Sequence, residues 1–203
     1  FFVMKFLFFK PLEQFNIKNS IVIPNLVNED VFKIGNKLNK KFTFFTLSNM
    51  VDIKGIDILL YAIKETNMES DSVEFLIGGS GPLLDEYKSL AGSLKISKMI
   101  KWLGQIEPER SVNFFQACNV FVLPSKYETF GVVCAEAIAC GKPVIATRCG
   151  GPESIVNDIN GVLIKPESVK ELSEAIIKMR FTSQHYSSKE IRKDFISKFS
   201  RVK

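Results

Sequence analysis

Two glutamates separated by seven residues, Glu128 and Glu136, are the side chains whose type and spacing best suit chemistry on a polar ligand. A buried strand is predicted to end at Pro124, a polar loop follows, and a helix is predicted to begin near Gly131. Glu128 precedes that helix and Glu136 lies inside it, roughly 7 Å further along the axis. Because helical side chains lean toward the N-terminus, both carboxylates can face a ligand at the helix start.

The start of that predicted helix is suited to an anion. Its unpaired amides and the helix dipole form an anion site, and Gly131 lets a ligand approach the backbone closely. Each carboxylate can accept hydrogen bonds from two neighbouring hydroxyl groups of a sugar ring. A phosphate at the amides, one ring at Glu128 and another at Glu136 together describe a nucleoside diphosphate sugar. Spacing alone leaves open the alternative that Glu128 caps the helix electrostatically and Glu136 is a solvated surface residue.

The elements that must position these side chains follow from an alternating pattern after Lys41. Short β-branched or aromatic runs alternate with longer amphipathic stretches, which is typical of βαβ units and predicts an α/β fold with a parallel sheet. The predicted strands are 42–47, 73–77, 100–103, 120–123 and 144–146, with a short sixth at 161–164. The predicted helices lie near 55–66, 82–94, 108–117, 131–140, 152–157 and 167–180. Gly141 is expected to end the fourth helix.

Composition limits the classes of function. The 203 residues suffice for one ordinary domain with a full core. An excess of 27 Lys and Arg over 22 Asp and Glu favours anionic ligands or an anionic membrane surface but is too small to indicate nucleic acid. Cys118, Cys134, Cys140 and Cys149 form no CxxC pair, so buried free thiols in a reducing, cytoplasmic compartment are expected. The single histidine, His185, is expected in a surface loop, and no stretch is long and apolar enough to span a membrane.

The two ends of the sequence are predicted to differ from its centre. Residues 1–40 contain an apolar start and one strand at 20–25 but no complete βα unit, and we interpret them as a connector. Residues 183–203 contain an amphipathic helix, in which Ile191, Phe195 and Phe199 share a face. We expect this helix to pack on a neighbouring surface. A basic amphipathic helix can also lie on a membrane, so peripheral membrane contact stays an alternative.

The segment from Glu128 to Glu136 resembles the E-x7-E signature of retaining glycosyltransferases of GT-B architecture, which have two Rossmann-like domains. Further blocks resemble the C-terminal, donor-binding domain of group 1 glycosyltransferases, which include bacterial lipopolysaccharide and mannosyl transferases. These blocks are Val120–Ser125, Glu128–Gly131, Glu136–Ala137, Gly141–Ala146, Gly150–Gly151 and Asn160–Leu163. Upstream, similar segments are the connector at Ile23–Asn25 with Phe32, the lysine turn at Lys54–Gly55 and the glycine-rich turn at Gly78–Pro82.

This resemblance covers about residues 20–180 and implies a Rossmann-like, doubly wound parallel sheet. At the matching positions it implies that Lys54 pairs with the donor diphosphate, Glu136 holds the ribose hydroxyls and Glu128 faces the transferred sugar. The further donor-binding positions that it implies are the backbone of Phe130, Gly131, Val132 and Val133, the glycine turn at Gly79, and Gln105–Ile106 near the base. A lysine just after the first strand suits the crevice where open α/β sheets bind ligands, although a Lys-Gly pair is often only a solvated turn.

Some positions depart from the family pattern. Asn49 lies where the family often has an arginine, so one of two expected positive charges at the diphosphate is absent. The glycine turn continues as Pro82-Leu-Leu84, which does not complete the G-x-G-x-x-G pattern of NAD-binding proteins. No Asp-x-Asp pair occurs, and we therefore expect no cofactor and no divalent metal, with helix amides and Lys54 holding the diphosphate instead.

The resemblance also predicts an incomplete active site. Residues 1–40 would be the remnant of an N-terminal domain with the interdomain connector, 41–182 the donor domain, and 183–203 the terminal helix. The acceptor, a glycan or a lipid-linked sugar, would bind to the missing domain, so this chain alone would bind donor weakly and transfer little. The expected activity is hexosyl transfer with retention in bacterial surface glycan synthesis, in the cytoplasm or at the inner membrane face. A non-catalytic nucleotide-binding domain and a nucleotide-sugar epimerase are the alternatives.

Overall fold

The computed structural model describes residues 27–35 and 39–199, and within them six parallel strands form one sheet. The strands are β1 (Phe42–Leu47), β2 (Val73–Gly78), β3 (Ile100–Gly104), β4 (Val120–Leu123), β5 (Val144–Thr147) and β6 (Gly161–Ile164). Their order across the sheet is β3-β2-β1-β4-β5-β6, so the chain builds outward first on one side of β1 and then on the other. The predicted α/β fold and all six predicted strands are confirmed, with ends that differ by at most one residue.

Helices cover both faces of the sheet. They are α1 (Ile56–Glu65), α2 (Leu84–Ser93), α3 (Pro108–Ala117), α4 (Val132–Ala139), α5 (Val169–Thr182) and α6 (Ser188–Phe199). The core accordingly divides into two buried clusters, one on each face. Phe44 stacks on Phe75 in one cluster at 4.9 Å, whereas Phe45 meets Phe115 edge-on at 5.2 Å in the other. Successive strand residues point to opposite faces, and both faces are apolar because both are covered.

The predicted helix at 152–157 is wrong. The structure has only a short 3₁₀ turn at Gly151–Ser154, followed by a loop. Asn157 and Asn160 explain the difference, since their side-chain oxygens accept hydrogen bonds from the amides of Ile159 and Asn157. Such local bonds to the backbone compete with a helix ladder.

Helix α4 lies between the sheet and α6 and is almost entirely apolar. Its sequence is VVCAEAIA, and Glu136 is its one charged residue. The helix begins after Gly131 and ends, as predicted, before Gly141, whose φ of 71° is a left-handed conformation that suits glycine. A helix that is apolar on all sides is typical of a protein core, so a carboxylate is unexpected on it.

The terminal helix α6 packs on the domain itself. Ile191, Phe195 and Phe199 are buried in the cluster that contains α4, and the Phe199 ring lies edge-on to Phe130 at 6.1 Å. This arrangement agrees with the predicted packing and does not leave that apolar face open to a membrane. In the described part of the chain, no helix has the length and apolarity needed to cross a bilayer.

Other predictions about loops and termini have mixed outcomes. The apolar start and the strand predicted at 20–25 lie outside the described residues. His185 is exposed, as predicted, in a 3₁₀ turn at Ser183–His185. All four cysteines are buried free thiols, also as predicted.

The burial of Phe195 leads to a first prediction. Phe195→Ala should lower the free energy of unfolding by about 3 kcal/mol, because it removes a fully buried ring and leaves a cavity under α6. Urea unfolding followed by circular dichroism measures this change. Ile196→Ala, at a neighbouring position that is 37% exposed, is the matched control and should cost much less. A loss for Phe195→Ala no larger than that for Ile196→Ala would show that the Phe195 ring is not packed in the core.

Candidate functional site

A cleft of about 810 Å³ lies at the carboxyl ends of the strands. Strands β1 and β4 are neighbours at the point where the strand order changes direction, and open α/β sheets bind ligands at this switch point. All eleven residues that the sequence singled out as a site line this one cleft. They are Asn49, Lys54, Gly79, Gln105, Ile106, Glu128, Phe130, Gly131, Val132, Val133 and Glu136. The structure thus brings them together, while their individual roles stay predictions.

Lys54 and Glu128 form an ion pair inside the cleft. Lys54 follows β1 in a short 3₁₀ turn, and Glu128 lies in the loop after β4. The Lys54 Nζ atom donates to Glu128 Oε2 at 2.6 Å, and the two side chains are 22% and 14% exposed. Each group therefore holds the other where a ligand carrying phosphate and hydroxyl groups could engage both.

The two loops that carry this pair are also joined by contacts outside the cleft. The backbone amide of Lys126 donates to the carbonyl of Ile53 at 2.9 Å. The Lys126 ammonium contacts Asp52 Oδ1 at 2.6 Å, and this hydrogen bond raises the pKa of Lys126. On its other side, the Glu128 backbone pairs with residues 149–151, donating to Cys149 O and accepting from Gly151 N. The position of Glu128 is therefore fixed from both sides.

The first turn of α4 presents backbone amides to the cleft. Gly131, the residue before the helix, has a φ of 84°, and no side chain caps the helix start. The amides of a first helical turn have no partner within the helix. Since Gly131, Val132 and Val133 all line the cleft, these donors and the positive end of the helix dipole are available to an anion.

Glu136 is a partly desolvated carboxylate on the same helix. Burial raises its pKa to about 7 from the ordinary 4.5. It lines the cleft one turn beyond the helix start. A carboxyl group kept in such a setting can accept hydrogen bonds from hydroxyl groups, or donate one while it is protonated. Perturbed groups of this kind concentrate at functional sites.

The thiols close to the pair are poor nucleophiles. Burial raises the pKa of Cys134 well above its ordinary value, and the charge of Glu128 raises it further. Burial also raises the pKa of Cys149. Since the thiolate is the reactive form, neither cysteine suits covalent catalysis at neutral pH.

Charge in the cleft is distributed unevenly. Lys54 is the only cationic side chain among the described residues that line it, whereas Glu109, Glu128 and Glu136 are carboxylates. Asn49, which replaces the arginine common in the resembling family, is an exposed amide at the cleft. An anionic ligand must therefore depend on Lys54 and on the α4 amides for its charge stabilisation.

Several lining residues were missed by sequence reasoning. Ser48 directly follows β1 and Ser80 lies two residues after the end of β2, so the rule that parallel strands gather their carboxyl ends could have found them. Thr129 lies between two residues that were identified. Asn28 and Val31 gave no signal, because their place at the cleft results from tertiary packing of a loop.

Comparison with known proteins gives consistent matches. The family model described as Glycosyl transferases group 1 matches residues 27–196. An uncharacterized glycosyltransferase of Methanocaldococcus jannaschii is 33% identical over 194 residues, which cover 91% of this chain and 51% of that protein. The chain therefore spans about half the length of this relative.

Solved structures share the fold at low sequence identity. The Anabaena protein HepE in complex with UDP and glucose superimposes with a TM-score of 0.79 at 22% identity, over 89% of this chain and 53% of that one. The C-terminal domain of a glycosyl transferase group 1 family protein, LpcC, from Francisella tularensis has a TM-score of 0.76 at 22% identity, over 86% of this chain and 99% of that one. These likenesses establish the Rossmann-like fold.

The raised pKa of Glu136 predicts a pH-dependent stability. Between about pH 4.5 and 7 the folded state keeps the carboxyl protonated while the unfolded state ionises it, so stability falls as pH rises through this window. Glu136→Gln removes this dependence. The variant should therefore gain on the order of 2 kcal/mol relative to the unmodified chain between about pH 5 and about pH 8.

Urea unfolding at the two pH values measures this gain. Glu109→Gln, which removes an exposed carboxylate from the same cleft, is the matched control. If Glu136→Gln keeps a constant offset from the unmodified chain across the range, the carboxyl of Glu136 is not desolvated.

Proposed function

The chain belongs to the group 1 glycosyl transferases, and on that premise we propose that its cleft binds a nucleoside diphosphate sugar as the donor for glycosyl transfer. One observation carries this proposal: a lysine, two carboxylates and an unpaired helix start converge on one cleft at the switch point of the sheet. These groups match the parts of such a donor, which is anionic in its centre and rich in hydroxyl groups at both sides.

The diphosphate lies, in this proposal, between the α4 amides and Lys54. The amides of Gly131, Val132 and Val133 supply hydrogen bonds and a positive partial charge. Lys54 supplies a full positive charge. To contact the phosphate, its ammonium must redirect at least one N–H group that is now close to Glu128. Leaving-group charge develops on the diphosphate as the sugar departs, so these same groups stabilise the transition state.

The two glutamates bind hydroxyl groups on different parts of the donor. Glu128, next to Lys54 and the helix start, accepts hydrogen bonds from the transferred sugar. Glu136 accepts them from the ribose, and the base extends toward Gln105 and Ile106 at the end of the cleft formed by the loop after β3. The complex of the Anabaena neighbour with UDP and glucose is consistent with a donor of this kind.

We further propose that transfer retains the anomeric configuration of a hexosyl group. Burial keeps the thiols of Cys134 and Cys149 protonated, so they are not suited to form a covalent sugar intermediate, and Glu128 serves in this proposal as a hydrogen-bond acceptor for the sugar. Departure and attack on the same face, with the diphosphate assisting, avoid the need for such a nucleophile.

The acceptor would bind outside the donor cleft. The near-complete overlap with a separately solved C-terminal domain supports a donor half that works with a second, acceptor-binding domain. We propose a glycan or lipid-linked acceptor and a role in bacterial surface glycan synthesis at the inner face of the membrane. Without an acceptor site closing over the donor, the 203-residue chain should bind nucleotide sugars and transfer little.

Donor binding can be tested with the 203-residue chain by calorimetry against UDP-glucose, GDP-mannose and ADP-glucose. At least one should bind, and Lys54→Met should weaken it by roughly tenfold or more, because the variant loses a charge-assisted contact to phosphate. Lys64→Met removes an exposed lysine on α1 away from the cleft and should leave the affinity unchanged. No binding of any of the three by a folded sample would overturn the donor-site proposal.

The role of Glu128 predicts effects of different size on two ligands. Glu128→Gln removes a negative charge that repels the diphosphate and competes for Lys54, so free UDP or GDP should bind more tightly. The sugar nucleotide gains less, because it loses a charge-assisted contact to its hydroxyl groups. The ratio of the two dissociation constants should thus shift by several-fold toward the free nucleotide. An unchanged ratio would show that Glu128 does not contact the sugar.

Catalysis is tested in a two-domain protein that contains the acceptor domain. Glu128→Gln should there reduce sugar transfer strongly while nucleotide binding persists. Transfer at the unmodified rate would favour the alternative of a nucleotide-binding domain without a catalytic Glu128. Conversion of the donor sugar in the absence of any acceptor would favour the epimerase alternative.

A further inference from the structure

Arg192 on α6 makes contacts that reach across the domain to the cleft. Its guanidinium donates to three backbone carbonyls: Phe32 O at 2.7 Å, Glu29 O at 2.9 Å and Ala139 O. Ala139 is the last residue of α4, the helix that carries Glu136. Arg192 therefore joins three segments, namely α6, the end of α4 and a turn formed by residues 28–32.

The 28–32 turn is one wall of the cleft. Asn28, Val31 and Phe32 line the same cleft as the first turn of α4. The turn is closed by the amides of Val31 and Phe32, which both donate to Asn28 O at 3.1 and 2.9 Å. It belongs to no helix or strand, and the Phe32 ring is seated edge-on against Phe115 at 5.9 Å.

A guanidinium is suited to hold such a turn. It offers five N–H donors in a rigid plane, so one group can bind several carbonyls at once. Two of the three acceptors lie in the turn, where they add to its own hydrogen bonds, which also include one from the Asp30 amide to Asn28 Oδ1 at 3.1 Å. The third acceptor is the carbonyl of Ala139 at the C-terminal end of α4. Carbonyls at this end have no partner within the helix, and a positive charge is favourable there.

We propose that Arg192 is a positioning residue that fixes the 28–32 turn as a wall of the donor cleft. Arg192 does not line the cleft itself. On the basis of the proposed function, it nevertheless raises the affinity of the cleft for the donor. We call the three hydrogen bonds of Arg192 the clamp. When the clamp is lost, the turn leaves its position at the cleft for part of the time. The apparent donor affinity is then the intrinsic affinity multiplied by the fraction of molecules that keep the wall.

Hydrogen exchange tests the clamp independently of any ligand. In Arg192→Met, the amides of Val31 and Phe32 should exchange faster than in the unmodified chain, because their turn is no longer held. Lys193→Met, the neighbouring exposed residue, removes a positive charge without removing the clamp and should leave these amides unchanged. Arg192→Lys keeps the charge but not the planar fork and should give intermediate exchange. Unchanged exchange in Arg192→Met would overturn the proposal.

Donor affinity tests the consequence of the clamp. The probe is whichever of UDP-glucose, GDP-mannose and ADP-glucose the unmodified chain binds most tightly. Arg192→Met should bind it roughly tenfold more weakly if the wall is in place about a tenth of the time. A residue that serves stability alone would lower Tm and leave the affinity of the folded protein unchanged, and that result would also overturn the proposal.

The two proposals fail in different ways. If the unmodified chain binds none of the three probes, the proposed function fails, and hydrogen exchange still decides whether Arg192 holds the turn. If the unmodified chain binds and Arg192→Met binds equally well, only the positioning role fails. Should Arg192→Met not fold, as judged by circular dichroism, Arg192→Lys and Lys193→Met provide the comparison.

Discussion

The close approach of the loop after β1 to the loop after β4 is the constraint on which the candidate site depends. These strands are neighbours only because the strand order changes direction between them. Their loops are then joined by the bond from Lys126 N to Ile53 O, by the contact of Lys126 with Asp52, and by the ion pair of Lys54 with Glu128. Side chains 74 positions apart in sequence meet at 2.6 Å as a result.

Close packing also extends to the other side of the Glu128 loop. A methyl group added to Gly151 would lie 2.2 Å from the Phe130 Cα atom, so the two backbones touch with no space for a side chain. The loop that carries Glu128 is thus held between the Lys54 turn and the 3₁₀ turn after β5. Rigid supports of this kind let a few polar groups keep a fixed geometry, which the proposed recognition of a flexible donor requires.

The fold and most of the site could be predicted from sequence because both follow from local patterns. Apolar runs such as 120–123 mark buried strands, and the residues right after them must lie at the carboxyl edge of the sheet. The predicted helix at 152–157 failed because Asn157 and Asn160 bind the backbone locally. The wall formed by residues 28–32 could not be predicted, since its place depends on Arg192, which is 160 positions from Phe32.

The strand order has a consequence for how the protein acquires its site during folding. Strand β1 pairs with β2 over a short separation in sequence, whereas its pairing with β4 joins residues 76 positions apart, such as Phe44 and Val120. Forming contacts between distant parts of a chain costs loop entropy and slows folding. Lys54 and Glu128 meet only once β1 and β4 are side by side. A chain in which only β1, β2 and β3 have paired lacks the Glu128 side of the cleft, so the proposed nucleotide ligand would stabilise only molecules that have completed the sheet.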